Sequence, residues 1–314
     1  MRRVVGQLSL ADGLVAKRSG SLDRIAGLVD WSALERVLGA VHAAPVGRPG
    51  YGPLVLIRCL LLQQWYGLSD PGLEEALADR LSFRRFVGLS LSDAVPDHST
   101  LSRFRKLLVE RGLSEGLLAE VNRQLEAKGL ILKRGTLVDA SLIEADARRP
   151  RKGEPTEGRS DPDASWNAMP ETPLFGYKAH VAVDAGSGLV RQAILTPANV
   201  SDKTPAVRLI QGDEQAFYAD RGYDSDFLRG RLADRGIADG IMGASYRVRP
   251  LPPEGAVRNR AIAPIRAAVE RTFAILKRWY GYTRVRYRRL ARNALQLQLL
   301  CVAMNLRRAL VLSA

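Results

Sequence analysis

Three carboxylates stand out by position in this chain of 314 residues. Asp139 follows "GTLV" in an apolar, β-branched run, Asp220 ends "AFYA", and Glu270 lies in "RAAVERTFAILK" among Arg266, Arg271 and Lys277. A carboxylate among buried strand neighbours needs a partner or a metal, because an unpaired buried charge is costly. An acid at the end of a strand in an α/β sheet stands where such sheets present their ligands. Three converging carboxylates of this kind suit Mg2+ or Mn2+ and not zinc. Two such ions about 3.5–4 Å apart could activate an attacking oxygen and stabilise the leaving one at a phosphodiester. On this reading Asp139, Asp220 and Glu270 are both the catalytic residues and the metal ligands.

Each acid also has a plainer reading. Asp139 could cap a turn, and Asp220, followed by Arg221-Gly222-Tyr223, could be a strand-to-loop carboxylate. Glu270 could pair with Arg266 one helical turn away, worth a few tenths of a kcal/mol, and taken alone that is the favoured reading. What favours the metal is the conjunction: three acids, in order, on three suitable elements. Glu144, Asp146 and Asp184 read as solvated strand ends more readily than as supports of the site. His98 sits beside a helix cap, and His180, in "YKAHVAVD", could face the site or simply pack. No Ser/His/Asp or Cys/His arrangement is evident, and Cys59 and Cys301 lie in apolar runs as small buried hydrophobes.

The elements that must hold these residues follow from periodicity. Residues 1–130 read as short helices joined by tight turns, an all-helical N-terminal domain of the helix-turn-helix kind. A helix in "PDHSTLSRFRKLLVERG", capped by Ser99 or Thr100, would expose Arg103, Arg105 and Lys106 to DNA. Residues 131–314 alternate differently. A strand at 130–146 is followed by a Pro-, Gly- and charge-rich insertion at about 147–173 and a hairpin turning at Ala185-Gly186-Ser187-Gly188. Then come helix, strand, helix and strand, and a basic loop at 245–260 leads into the helix of Glu270. Strands joined by tight turns pair antiparallel and those reached through helices pair parallel. This mixed α/β order is that of a ribonuclease H-like catalytic domain. On the last of these helices Ile262, Ile265, Val269 and Leu276 would pack on the sheet.

Composition bounds the partner. Apolar residues make up 46% of the chain and charged residues 25%, as in an ordinary soluble protein, while the net charge is +14. That excess points to a polyanion, with double-stranded DNA first. The most apolar stretch, "ALQLQLLCVAMNLRRALVL", is interrupted by Gln296, Gln298, Asn305, Arg307 and Arg308. It reads as a core helix and not a membrane span, and the expected location is cytoplasmic, at the nucleoid.

These residues resemble a known family. "RAAVERTFAILK" is similar to the signature of DDE transposases from bacterial insertion sequences, with Arg266, Glu270 and Lys277 at Arg, Glu and Lys. "LVDASLIEA" and "FYADRGYDS" resemble the blocks around the family's two Asp residues, and "PDHSTLSRFRKLL" resembles the N-terminal domain of the insertion-sequence-five branch. The resemblance spans about residues 50–310, with 81 residues from first to second acid and 50 from second to third. Ala263 stands where the broader signature has Tyr, a departure that touches only a terminal-base contact by an aromatic. The resemblance implies an enzyme that binds the terminal inverted repeats of its element, nicks them to expose 3′-OH ends and joins those ends to target DNA. It implies a pair of Mg2+ or Mn2+ ions on Asp139, Asp220 and Glu270, phosphate contacts by Arg266 and Lys277, and a dimer or larger assembly on DNA. Arg278, Arg284, Arg286, Arg288, Arg289 and Arg292 would contact the DNA backbone. The other readings are a ribonuclease H-like nuclease without strand transfer and an idle, transposase-derived DNA-binding protein.

Overall fold

The computed structural model describes residues 20–39, 50–151, 160–167, 171–245 and 250–313. The chain forms two compact units, one of Met1–Leu125 with Gln298–Ala314 and the other of Glu126–Leu297. The first of these units is discontinuous in sequence, Gln298–Ala314 joining residues that precede Glu126. Parts of the expected insertion at 147–173 and of the basic loop at 245–260 lie outside the described residues.

The first unit is helical: α1 Ser21–Leu28, α2 Trp31–Leu38, α3 Pro53–Tyr66, α4 Asp70–Asp79, α5 Leu81–Val87, α6 His98–Glu110 and α7 Ser114–Ala127. Helix α3 starts at a Pro and ends at Gly67, whose φ of 65° supplies the left-handed stop. The apolar pattern of 69–87 is two helices, because Arg80 turns extended between α4 and α5. Helix α6 is capped by Asp97, whose carboxylate accepts from the Thr100 N–H at 2.6 Å, and not by Ser99 or Thr100. The core stacks Trp31 and Trp65 edge-on to Phe86. The final helix, α11 Leu290–Leu312, begins in the second unit and ends in the first. There the Trp65 Nε1–H donates to Ala303 O at 2.9 Å, and the Asn305 amide donates to Asn122 Oδ1 at 2.8 Å. Helix α11 has the length and apolarity to cross a membrane, but 72% of its most apolar window is buried in the fold.

The second unit is a mixed sheet with helices. Its strands are β1 Thr136–Glu144, β2 Ser165–Trp166, β3 Phe175–Asp184, β4 Val190–Pro197, β5 Ala216–Ala219 and β6 Ala238–Ile241. The main order is β4-β3-β1-β5-β6, with β2 pairing the start of β3. Strands β1, β3 and β4 run antiparallel, and β5 and β6 lie parallel to β1. Crossovers through α8 Lys203–Leu209 and α9 Asp226–Ala233 make the parallel pairings possible. Both helices pack on the sheet through Leu209, Leu228 and Leu232 against Val138, Ala182, Phe217 and Ile241. Helix α10 runs over Pro253–Arg278, starting well inside the stretch expected as a basic loop. Pro253 and Glu254 in its first turn suit a helix start, and Pro264 in its interior removes only one i→i−4 bond.

Candidate active site

Strand β1 is the centre of the sheet, and β5 is its parallel neighbour. Thr136 pairs with Phe217 and Leu137 with Tyr218. The same offset, carried two residues on, sets Asp139 beside Asp220 at the point where β5 ends. There Asp220 caps the 3₁₀ turn Arg221–Tyr223, its Oδ1 accepting from the Gly222 N–H at 2.8 Å. A Cβ on Gly222 would lie 2.9 Å from that oxygen, so the turn needs glycine to seat the carboxylate.

Asp139 is held on both sides. Its Oδ1 accepts from the Ala140 N–H at 2.8 Å, and Oδ2 stands 3.7 Å from the Arg266 guanidinium. Burial pushes its carboxyl up to about 6, and the charges of Asp220 and Asp202 add to the rise, against the Ala140 N–H and Arg266. Asp139 is thus a desolvated carboxylate beside a second one, with its negative charge only partly compensated.

Helix α10 packs against β1 and β5. Its buried stripe is Ile262, Val269, Thr272, Phe273 and Leu276. Ile265, expected in that stripe, is 40% exposed. At about 100° per residue, Ile265 lies roughly 60° to one side of Ile262, whereas Arg266 lies roughly 40° to the other. The stripe itself leans to the Ile265 side, so angle alone does not select Arg266; its guanidinium, on the other shoulder, reaches the Asp139 carboxylate. Glu270 lies about 80° from Ile262 on the same shoulder. Its side chain is exposed and makes no ion pair or hydrogen bond with a described residue, so the local pair with Arg266 does not form. Lys277, also on this shoulder, is half-buried. Among the described residues no three His, Cys, Asp or Glu side chains are gathered closely enough to hold a metal ion. The structure therefore brings Asp139 and Asp220 together and leaves Glu270 outside them.

Asp202, ahead of α8, was not singled out by the sequence. Its position at a strand-to-helix junction is the same kind as that of Asp220, which is the signal that could have found it. His180 packs: it is fully buried, its Nε2 is 3.0 Å from Thr196 Oγ1, and burial pulls its pKa down to about 4.

Other expected residues have other duties. Arg105 is buried, donating to both Asp70 oxygens and to Gln63 Oε1, because α6 turns this position inward toward α4; it does not stand exposed with Arg103 and Lys106. Arg103 is exposed and donates to Ser99 and Thr100, and Lys106 pairs with Glu110 at 3.6 Å. Arg284 pairs with Glu144 at 3.2 Å and reaches Asp146 at 3.9 Å. Asp184, expected as a solvated strand end, is buried and closes the β3–β4 turn by accepting from Lys133 N, Ser187 N and Ser187 Oγ. Arg289 adopts a φ of 74°, its N–H held by Asp161. Arg278, Arg288 and Arg292 are exposed, and Arg286 is half-buried.

With this geometry in view, two family matches bear on the chain. Residues 131–306 match the family described as "Transposase DDE domain", and residues 11–107 match "Transposase domain (DUF772)". The first match spans more than half the chain, and the protein belongs to the DDE transposase family. Two solved structures are loosely similar. One is a piggyBac transposase synaptic complex with hairpin DNA, at 11% identity and a TM-score of 0.43, covering 91% of this chain and 72% of that one. The other is a pre-cleavage Mos1 transpososome, at 12% identity and a TM-score of 0.19, covering 94% and 98%. The family matches carry the assignment: the protein is a DNA transposase. Its family generally uses divalent metal ions. The donors here fit such an ion in kind, since Asp139 and Asp220 offer hard oxygens with uncompensated charge.

Proposed function

We propose that this transposase binds the terminal inverted repeats of an insertion sequence of the insertion-sequence-five branch, cleaves to expose 3′-OH ends and transfers those ends to target DNA. The observation that carries the reading is the Asp139–Asp220 pair at neighbouring ends of β1 and β5, with α10 laying Arg266 against it. The order β4-β3-β1-β5-β6 supports a ribonuclease H-like catalytic domain, and the basic helical unit supports a helix-turn-helix-like domain for DNA.

Asp139, Asp220 and Glu270 are the carboxylates that would hold Mg2+ or Mn2+, two ions in the arrangement the resemblance implies. When bound, such ions supply activation of the attacking oxygen and neutralisation of the leaving one. In the first step a water oxygen attacks phosphorus at the element's end, and the bond from phosphorus to the 3′ oxygen breaks. The products are a 3′-OH on the element, a 5′-phosphate on the flank and a released proton. In the second step that hydroxyl oxygen attacks a target phosphorus and displaces a target 3′ oxygen. Arg266 holds the Asp139 charge while the site is empty of DNA, and an incoming phosphate competes for its guanidinium. The unpaired carboxylate of Glu270, one turn on, is free to complete the set once Arg266 turns to the phosphate. Lys277 on the same shoulder holds a second phosphate. Because each event joins two ends, the working form is a dimer or larger assembly on DNA.

The test is to incubate the protein with Mg2+ or Mn2+ and a duplex carrying the inverted repeats that flank its gene. Cleavage and joining are expected, and Asp139→Ala should abolish both. Glu270→Gln should leave folding and DNA binding intact and remove cleavage. Cutting of any duplex without joining would replace this reading with a nuclease. Binding with no cleavage would replace it with a DNA-binding remnant.

A further inference from the structure

Beside the Asp139–Asp220 pair stands a second set of polar side chains that the acid triad does not include. Asp202 Oδ1 is buried, 2.8 Å from Lys178 Nζ, and Lys178 is itself fixed by donating to Val200 O at 2.8 Å. The Lys178–Asp202 contact lies outside hydrogen-bond geometry, so Oδ1 keeps unused acceptor capacity. His180 Nδ1, also buried and without a hydrogen-bond partner, is 4.0 Å from the same oxygen. The other oxygen of Asp202 looks toward the active-site turn. A Cβ on Gly222 would lie 3.6 Å from Asp202 Oδ2 and 2.9 Å from Asp220 Oδ1, so the two carboxylates flank one glycine.

Beneath them is Tyr223. It is fully buried and its hydroxyl has no partner among the described residues. Burial and the charges of Asp202, Asp139 and Asp220 hold its proton firmly in place. His180 Nδ1, Asp202 Oδ1, the Tyr223 hydroxyl and Arg266 Nε are all buried without a hydrogen-bond partner among the described residues, and all belong to this one region. Buried polar groups are normally satisfied, so this concentration marks a centre arranged for something that binds in it. A plain structural ion pair at the β4–α8 junction would have no need of a second oxygen facing the Asp220 turn or of an unpaired hydroxyl in the same region.

We propose that Asp202, anchored by Lys178 and backed by the Tyr223 hydroxyl, is a positioning residue of this centre. Its outer oxygen faces the Asp220 turn, adds a further negative charge there and strengthens the hold of Asp139 and Asp220 on a divalent cation. The inference rests on the reading of those two acids as the cation-holding pair. Outer-sphere groups of this kind typically change metal affinity about 10–100-fold when removed.

The experiment titrates the full-length, metal-free protein with MnCl2 and reads free Mn2+ by electron paramagnetic resonance. Asp202→Asn is expected to weaken Mn2+ binding at least about 10-fold while circular dichroism reports a native fold. Should that variant fail to fold, Asp202→Asn with Lys178→Met removes both partners of the pair and keeps the local net charge. It is expected to bind Mn2+ as weakly, whereas a merely structural pair predicts wild-type affinity. Asp139→Asn and Asp220→Asn serve as references. If they abolish Mn2+ binding and the Asp202 variants bind like wild type, this inference is overturned alone. If they too leave binding unchanged, the cation-holding reading beneath it is overturned as well.

Discussion

Asp139 couples the site to pH through a single proton. Its carboxyl titrates at about 6 in the folded protein, against an ordinary value of 3.8. The native state therefore binds this proton more tightly than the unfolded chain, and ionising it destabilises the fold. The penalty is absent below about pH 3.8, grows as the pH rises through the interval to about 6, and is complete above it. A rise of that size corresponds to roughly 2–3 kcal/mol. Asp139→Asn cannot ionise, so in metal-free buffer it should raise the Tm at pH 8 and leave it nearly unchanged at pH 4. An equal Tm difference at both pH values in thermal melts would contradict burial as the cause. The position of Asp139 was legible because a lone acid in "GTLVDASLI" breaks an apolar strand. Its pairing with Arg266 was not, since a helical face fixes angle but not which neighbour of the buried stripe turns inward. Asp202 was marked in the sequence only by its place ahead of a helix, since Lys178, with which it pairs, and the neighbouring Gly222 lie on other elements.

Helix α6 shows how an element assigns different work to charges that look alike in sequence. Arg103, Arg105 and Lys106 fall within one turn, yet only Arg105 is buried, its fork closed on Asp70. Removing one partner of a buried ion pair costs about 3–5 kcal/mol, whereas an exposed pair contributes about 0–1. Arg105→Ala should therefore lower the Tm by many degrees, while Arg103→Ala and Lys106→Ala should shift it little; differential scanning calorimetry separates the two outcomes. An Arg105→Ala protein as stable as wild type would place that side chain back among surface contacts. The burial of Arg105 could not be read ahead because Asp70 lies 35 residues away. By contrast, the sheet was largely legible: the turn at Ala185–Gly188 and the helices between later strands fix which pairs run antiparallel and which parallel. The start of α10 was hidden under prolines and arginines that read as loop.

At the scale of the whole molecule the net charge of +14 favours association with DNA, and the number of phosphates contacted sets how that association responds to salt. Each phosphate contact contributes about 0.9 to the slope of log K against log salt concentration. Arg278 and Arg292 are exposed and make no ion pair with a described residue, whereas Arg284 is already engaged by Glu144. Arg278→Ala with Arg292→Ala should reduce the slope by about 2, and Arg284→Ala by less. Fluorescence anisotropy across a salt series reads this, and an unchanged slope in the double variant would remove those residues from the DNA contact surface. The division of the chain also differs from a simple head and tail, because Gln298–Ala314 returns to the helical unit. The Trp65 indole N–H meets Ala303 O there, and Asn122 Oδ1 accepts from the Asn305 amide. On the ribosome, then, the helices of this unit emerge well before the segment 298–314 that completes it. The indole N–H of Trp65 waits for its acceptor until the codons for 298–314 have been read, so a message cut short before them yields a helical unit without the segment that joins it.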